Sequence, residues 1–202
     1  MRMENTIYTR SYGAPPWNRR EILRYAGVKG DTSELDALLQ SCLDEVEDKL
    51  VYRVCYREFA VTQHPAYFDL GFLKSASAGL KKNLSGCESI ILFAATIGIE
   101  IDRLIARSAT VSATKALLFQ AIGAERIESL CDAFNCNITE QKAAEGLRTR
   151  PRFSAGYGDF PLEAQKDIFA VLDCSRRIGL TLNESLLMSP SKSVTAIIGV
   201  GR

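Results

Sequence analysis

The chain has 202 residues, 47% of them hydrophobic, which suits one domain with a sizeable apolar core. Its 25 basic and 24 acidic residues leave a formal charge of +1. So balanced a chain lacks the broad basic field of a nucleic-acid binder and the acidic bias of a disordered segment.

Residues 1–10 are polar, without the apolar run of a secretory signal, and residues 1–17, containing Pro15 and Pro16, read as an N-terminal arm ahead of a single domain over 18–202. From Asn18, a candidate cap, Ile22, Leu23 and Ala26 share a helical face that Gly27 ends. Leu35, Leu38, Leu39, Cys42, Val46 and Leu50 repeat at three and four, which predicts an amphipathic helix from Ser33. Residues 51–61 alternate with β-branched and aromatic side chains and predict a half-exposed strand, with 66–70 a candidate partner for it. Phe72, Leu73, Ala76, Leu80 and Leu84 suggest another helix face. The run 89–95 is continuously apolar, as in a central strand covered on both sides. Gly98 then permits a turn into a short helix through Ile101, Leu104 and Ile105.

Residues 112–145 are helix-rich, with a break expected near Asn135. Arg150-Pro-Arg152 stops the helical run, and Pro161 suits the first turn of a new helix with Asp159 as its cap. That helix carries Ile168, Phe169 and Leu172 and ends at Arg176, Arg177 and Gly179; residues 193–200 close the chain's pattern with a strand. Helices and strands without regular βαβ alternation indicate an α+β fold. The longest apolar run, 89–99, is too short to span a bilayer, so no membrane role and a cytoplasmic location are expected.

The inventory argues against most catalytic chemistries. The one histidine, His64, sits in a turn-like Gln-His-Pro step, too little imidazole for a triad or most metal sites. The six cysteines form no Cys-x-x-Cys pair and read as buried thiols of a reducing compartment. No Walker or G-x-G-x-x-G loop is present. Ser189-Pro-Ser-Lys192 matches S-x-x-K superficially, but its companion elements are missing.

Two segments remain as candidate sites. In 152–161, Arg152 offers a fork of donors for a carboxylate, Tyr157 a flat face with a polar tip, and Gly156 and Gly158 let a ligand approach the backbone. Backbone groups around Ser154 can read a purine edge; the plainer reading is a glycine-rich turn entering a helix. Glu125, Glu128 and Asp132 share one helix face, to hold an ammonium group or ribose hydroxyls, or simply as a solvated acidic face.

Arg152-x-Ser154-x-Gly156-Tyr157, followed by a proline-started helix, resembles the S-adenosylmethionine-binding signature of the activation domain of cobalamin-dependent methionine synthase. The stretch 179–194 is similar to the same family's next segment, and 18–27 resembles the opening of its short, free-standing forms. The resemblance spans most of 18–200. It implies a mainly antiparallel twisted sheet flanked by helices. It also implies binding of S-adenosylmethionine and support of reductive methylation, in which inactive cob(II)alamin takes an electron and then a methyl group. Carried over by position, Arg152 contacts the methionine carboxylate, Ser154, Gly156 and Tyr157 line the adenosyl site, and Glu128 is a polar anchor; no residue is catalytic and none binds metal. The chain has no D-x-H-x-x-G corrinoid motif, so cobalamin is expected on a partner methionine synthase chain, served by an electron donor such as a flavodoxin-like protein. The alternatives are a docking module that binds no ligand, or a reactivator of another corrinoid methyltransferase.

Overall fold

The computed structural model describes residues 6–30 and 33–202. Ten strands and seven helices follow in the order β1 (Tyr8–Tyr12), α1 (Arg19–Tyr25), α2 (Ser33–Val46), β2 (Tyr52–Ala60), β3 (Thr62–Gln63), β4 (Phe68–Asp69), β5 (Lys74–Ser75), α3 (Ala78–Asn83), β6 (Cys87–Thr96), α4 (Glu100–Ala109), α5 (Ala113–Ala144), β7 (Arg148–Thr149), α6 (Ala164–Leu172), α7 (Cys174–Ile178), β8 (Thr181–Leu182), β9 (Met188–Ser189) and β10 (Ser193–Gly201). Five strands form one sheet in the order β1-β2-β6-β10-β7, every pair antiparallel. The fold is α+β, an antiparallel sheet flanked by helices.

The continuous apolar run of β6 has a simple cause. Ile91, Phe93 and Ala95 face one core, shared with α1, α2, α4 and α5; Ile90, Leu92 and Ala94 face a second, shared with α3, α6 and α7. Both faces of the strand are dry, so neither position parity can be polar. The edge strand is different: β1 carries only exposed and half-buried residues and is held by its ladder to β2 and by Tyr8 stacked on Tyr56 at 5.3 Å. Thus residues 8–12 of the expected arm belong to the sheet, while residues 1–5 lie outside the described ones.

Helix α5 runs unbroken through Asn135, contrary to the expected break. Phe134 and Ile138, four residues apart and both buried, carry the apolar stripe past that point, and packing outweighs the poor propensity of asparagine. At 32 residues α5 is about 48 Å long. Gly123 lets α4 and the Lys192 stem close on it: a Cβ there would stand 2.9 Å from Lys192 Cγ and 3.0 Å from Ile101 Cγ1.

Four further expectations are corrected. Residues 66–70 do not pair with β2, whose two edges are taken by β1 and β6; β4 instead joins β3 and β5 in a small separate sheet. The helix face sought across Phe72–Leu84 begins only at Ala78, after β5. Asp159 caps no helix at Pro161. Its carboxylate accepts from Ser77 Oγ and from the N–H groups of Ala78 at 2.6 Å and Gly79 at 3.0 Å, so it caps α3 across the chain. Those bonds, Ser77 first, hold Asp159 below the usual aspartate range. The helix expected to end at Gly179 is two: Asp173, at φ 49°, breaks it between α6 and α7, and Gly179 ends the second.

Candidate functional site

The segment that follows β7 is pinned to β10. Arg150 N–H donates to Gly199 O at 2.8 Å, and Phe153 exchanges both backbone bonds with Ile197 at 2.9 Å. Between these pins Arg152 reaches α5. Its Nη2 donates to Glu128 Oε2 and to Asp132 Oδ1, each at 3.0 Å. The guanidinium is mostly enclosed, Glu128 is about half exposed and Asp132 is 71% exposed. Arg152 Nη1 is buried without a hydrogen-bond partner. Beneath it lies Cys131, whose thiol burial pushes up to about 12, so it is an inert neighbour and not a nucleophile.

Ser154, Gly156 and Tyr157 come next on the same loop. Tyr157 N–H donates to Ser154 O, Gly156 N–H to Phe160 O and Phe160 N–H to Tyr157 O, a tight double turn anchored by the buried Phe160 ring. Gly156 sits at φ 85° and faces Leu162 so closely that a Cβ would lie 3.0 Å from its Cδ1. The turn projects Tyr157 outward, 71% exposed and edge-on to Phe153 at 5.7 Å. The residues singled out in sequence therefore fall into two groups. Glu128 and Arg152 touch; Ser154, Gly156 and Tyr157 form the turn leading away from them.

The third acid of the α5 face has another role. Glu125 is 2% exposed and binds Arg126 Nε and Nη2, Asn18 N–H and Ser129 Oγ. Arg126, fully buried, donates to Pro15 O and Pro16 O and lies 4.1 Å over the Trp17 ring. This buried pair clamps the arm to α5 one turn before Glu128. Its sequence signal was available: Arg126 sits four residues from both Ile122 and Leu130, a charge on a buried stripe.

A cavity of about 150 Å³ opens between α1 and α5, lined by Glu128, Asp132, Ser129 and Asn18 among others. A larger groove of about 490 Å³ lies on the α6 side, between Leu73–Ser77 and Asp159–Asp167, away from Arg152. His64 is stacked on Tyr67 at 4.4 Å in the small sheet's turn, remote from these groups in role. Among the described residues no cluster of His, Cys, Asp and Glu fits a metal ion, and no helix is long and apolar enough to cross a membrane.

Comparison with solved structures settles the architecture. A crystal structure of the MetH reactivation domain bound to AdoHcy matches with a TM-score of 0.71, over 96% of this chain and 78% of that one, at 16% identity. The chain has the fold of the MetH reactivation domain. No family model matches the sequence, and no curated protein matches it. At that identity the likeness is one of architecture, and residue roles rest on the geometry of Arg152 and its neighbours.

Proposed function

We propose that this chain is an activation module that binds S-adenosylmethionine and supports reductive methylation of cob(II)alamin on a separate cobalamin-dependent methionine synthase. The observation that carries the reading is Arg152 set between Glu128 and Asp132 at 3.0 Å, at the start of the 154–160 turn. A guanidinium beside two carboxylates matches an α-amino acid head: the cation receives the carboxylate and the acids receive the ammonium group. The buried, unpartnered Nη1 is a donor left over for such a ligand once the side chain shifts toward it. The Ser154–Tyr157 turn supplies backbone groups and an exposed aromatic face for the adenosyl part. The solved counterpart's ligand, AdoHcy, belongs to the same chemical class, which supports the choice.

The protein's work in this reading is positioning. The sulfonium is an activated methyl donor, the reduced corrinoid on the partner is the nucleophile, and the electron comes from a donor such as a flavodoxin-like protein. Arg152 and the α5 acids fix the head group, the turn orients the adenosine, and closure against the partner excludes water. No proton has to move, which suits a chain with a single histidine away from the site.

Calorimetric titration tests this directly. The native chain is expected to bind S-adenosylmethionine one to one, and Arg152→Ala to weaken it about tenfold or more, the scale of a charge-assisted pair. Absence of binding, with the partner synthase present as well as absent, overturns the reading. With partner, reductant and S-adenosylmethionine, the methylcobalamin absorption spectrum should appear.

A further inference from the structure

Arg152 is over-neutralised: two carboxylates, Glu128 and Asp132, share its one guanidinium. The adjoining cavity is lined by Glu21, Glu125, Glu128 and Asp132 with Asn18, Ser129 and Tyr25, and by no basic side chain. Two of those acids are already matched one to one, Glu21 by Arg24 at 2.6 Å and Glu125 by Arg126 at 2.5 Å. Among the described residues, Glu128 and Asp132 have Arg152 alone as an ion-pair partner. One unit of negative charge is therefore left over at the place where the ligand's head group is proposed to sit.

We propose that this excess charge, with Asp132 the deciding residue, makes the site select adenosyl ligands by the charge on sulfur: the sulfonium of S-adenosylmethionine is held and the neutral thioether of S-adenosylhomocysteine is released. The inference rests on the S-adenosylmethionine reading above. Both ligands carry the same α-ammonium and α-carboxylate groups, so interactions with those groups cancel in the comparison. They differ by one positive charge, on an atom three bonds from the α-carbon and so within a few ångströms of the head group. An unmatched carboxylate at that range favours the cation, and the 71% exposure of Asp132 limits the effect by screening. A preference of about tenfold results. The functional consequence is product release: methyl transfer removes the charge that holds the ligand, and the spent thioether leaves without a conformational step.

Asp132→Asn is the discriminating change, because it keeps an Oδ1 acceptor for Arg152 Nη2 and removes only the charge. The full-length chain and this variant are titrated calorimetrically at low salt with S-adenosylmethionine, S-adenosylhomocysteine and sinefungin, whose amine replaces the sulfonium by another cation. The native chain should bind both cationic ligands about tenfold more tightly than the thioether, and the gap should shrink to about twofold in Asp132→Asn and in the native chain at high salt. Equal affinity for the three ligands overturns the inference and leaves the binding reading standing. A gap that persists in a normally melting Asp132→Asn, or one that salt does not narrow, overturns it as well. Silence with all three ligands overturns the binding reading itself.

Discussion

Arg126 offers the sharpest test of how the arm and α5 are joined. Arg126→Met keeps an unbranched apolar stem but removes the guanidinium, with its bonds to Pro15 O, Pro16 O and both oxygens of Glu125. Glu125, 2% exposed, then keeps only Asn18 N–H and Ser129 Oγ for its charge. Breaking a buried pair by deleting one partner costs about 3–5 kcal/mol, chiefly because the other charge is stranded. We expect about 4 kcal/mol, which for a domain of this size lowers the melting temperature by about 8–16 °C. Glu125→Gln/Arg126→Met strands no charge, and should cost only about 2 kcal/mol, the remainder being the lost bonds to the two proline carbonyls.

Trp17 makes the experiment local as well as global. It is the only tryptophan in the chain and lies 4.1 Å under the Arg126 guanidinium, so its fluorescence reports whether the arm is docked. Arg126→Met should shift Trp17 emission to the red before urea unfolds the helices seen by circular dichroism. A stability loss below about 1 kcal/mol, or a double variant no milder than the single one, would refute the argument that a stranded charge dominates.

Three other outcomes follow from the same contacts. Gly123→Ala gains about 1 kcal/mol of helix propensity but sets a Cβ 2.9 Å from Lys192 Cγ and 3.0 Å from Ile101 Cγ1, so thermal melting should show a net loss of about 1–2 kcal/mol, partly recovered by adding Lys192→Ala. Thiol titration of the folded chain should find Cys136 alone reactive, the other five cysteines being buried; its hydrogen bond to Glu140 raises its pKa, so Glu140→Gln should speed labelling at neutral pH. Glu45 is held below the ordinary glutamate range, first by its bond to Lys115 and against partial desolvation. A depressed carboxylate contributes stability above its unfolded pKa and loses it as pH falls through the folded one. Native protein should therefore lose up to about 1 kcal/mol more than Glu45→Gln on acidification from pH 6 to below pH 4, as read from urea midpoints.

What could be read from the sequence follows the range of the interactions involved. The central strand was legible because double-sided burial leaves a continuous apolar run, and α1 because Asn18 caps its own helix through the N–H of Glu21, three residues on. Strand β1 was not, because an edge strand needs little apolar content and owes its form to the partner β2. Local pattern alone points Asp159 to the nearest helix. Its real donors lie 80 residues or more away, at Ala78 and Gly79, and only the folded chain brings them together. The continuity of α5 is hidden from local pattern for the same reason, since tertiary packing of Phe134 and Ile138 decides it.

The site divides along the same line, and the division says which parts of it are robust. The turn 154–160 is built from bonds within seven residues, and its glycines announce it in the sequence. The Arg152–Glu128–Asp132 group is not local: it exists because β10 holds the backbone at Gly199 and Ile197 while the Arg126 clamp seats the arm and α1 on α5 one turn before Glu128. In the proposed reading, positions for the adenosyl part are thus written in one short loop, whereas the charges assigned to the head group depend on sheet and helix keeping their spacing. Loosening the clamp should then damage charge selection before it damages the turn. Arg126→Met, which touches neither Arg152 nor the loop, ought to lower discrimination between S-adenosylmethionine and S-adenosylhomocysteine more than it lowers affinity for adenosine itself.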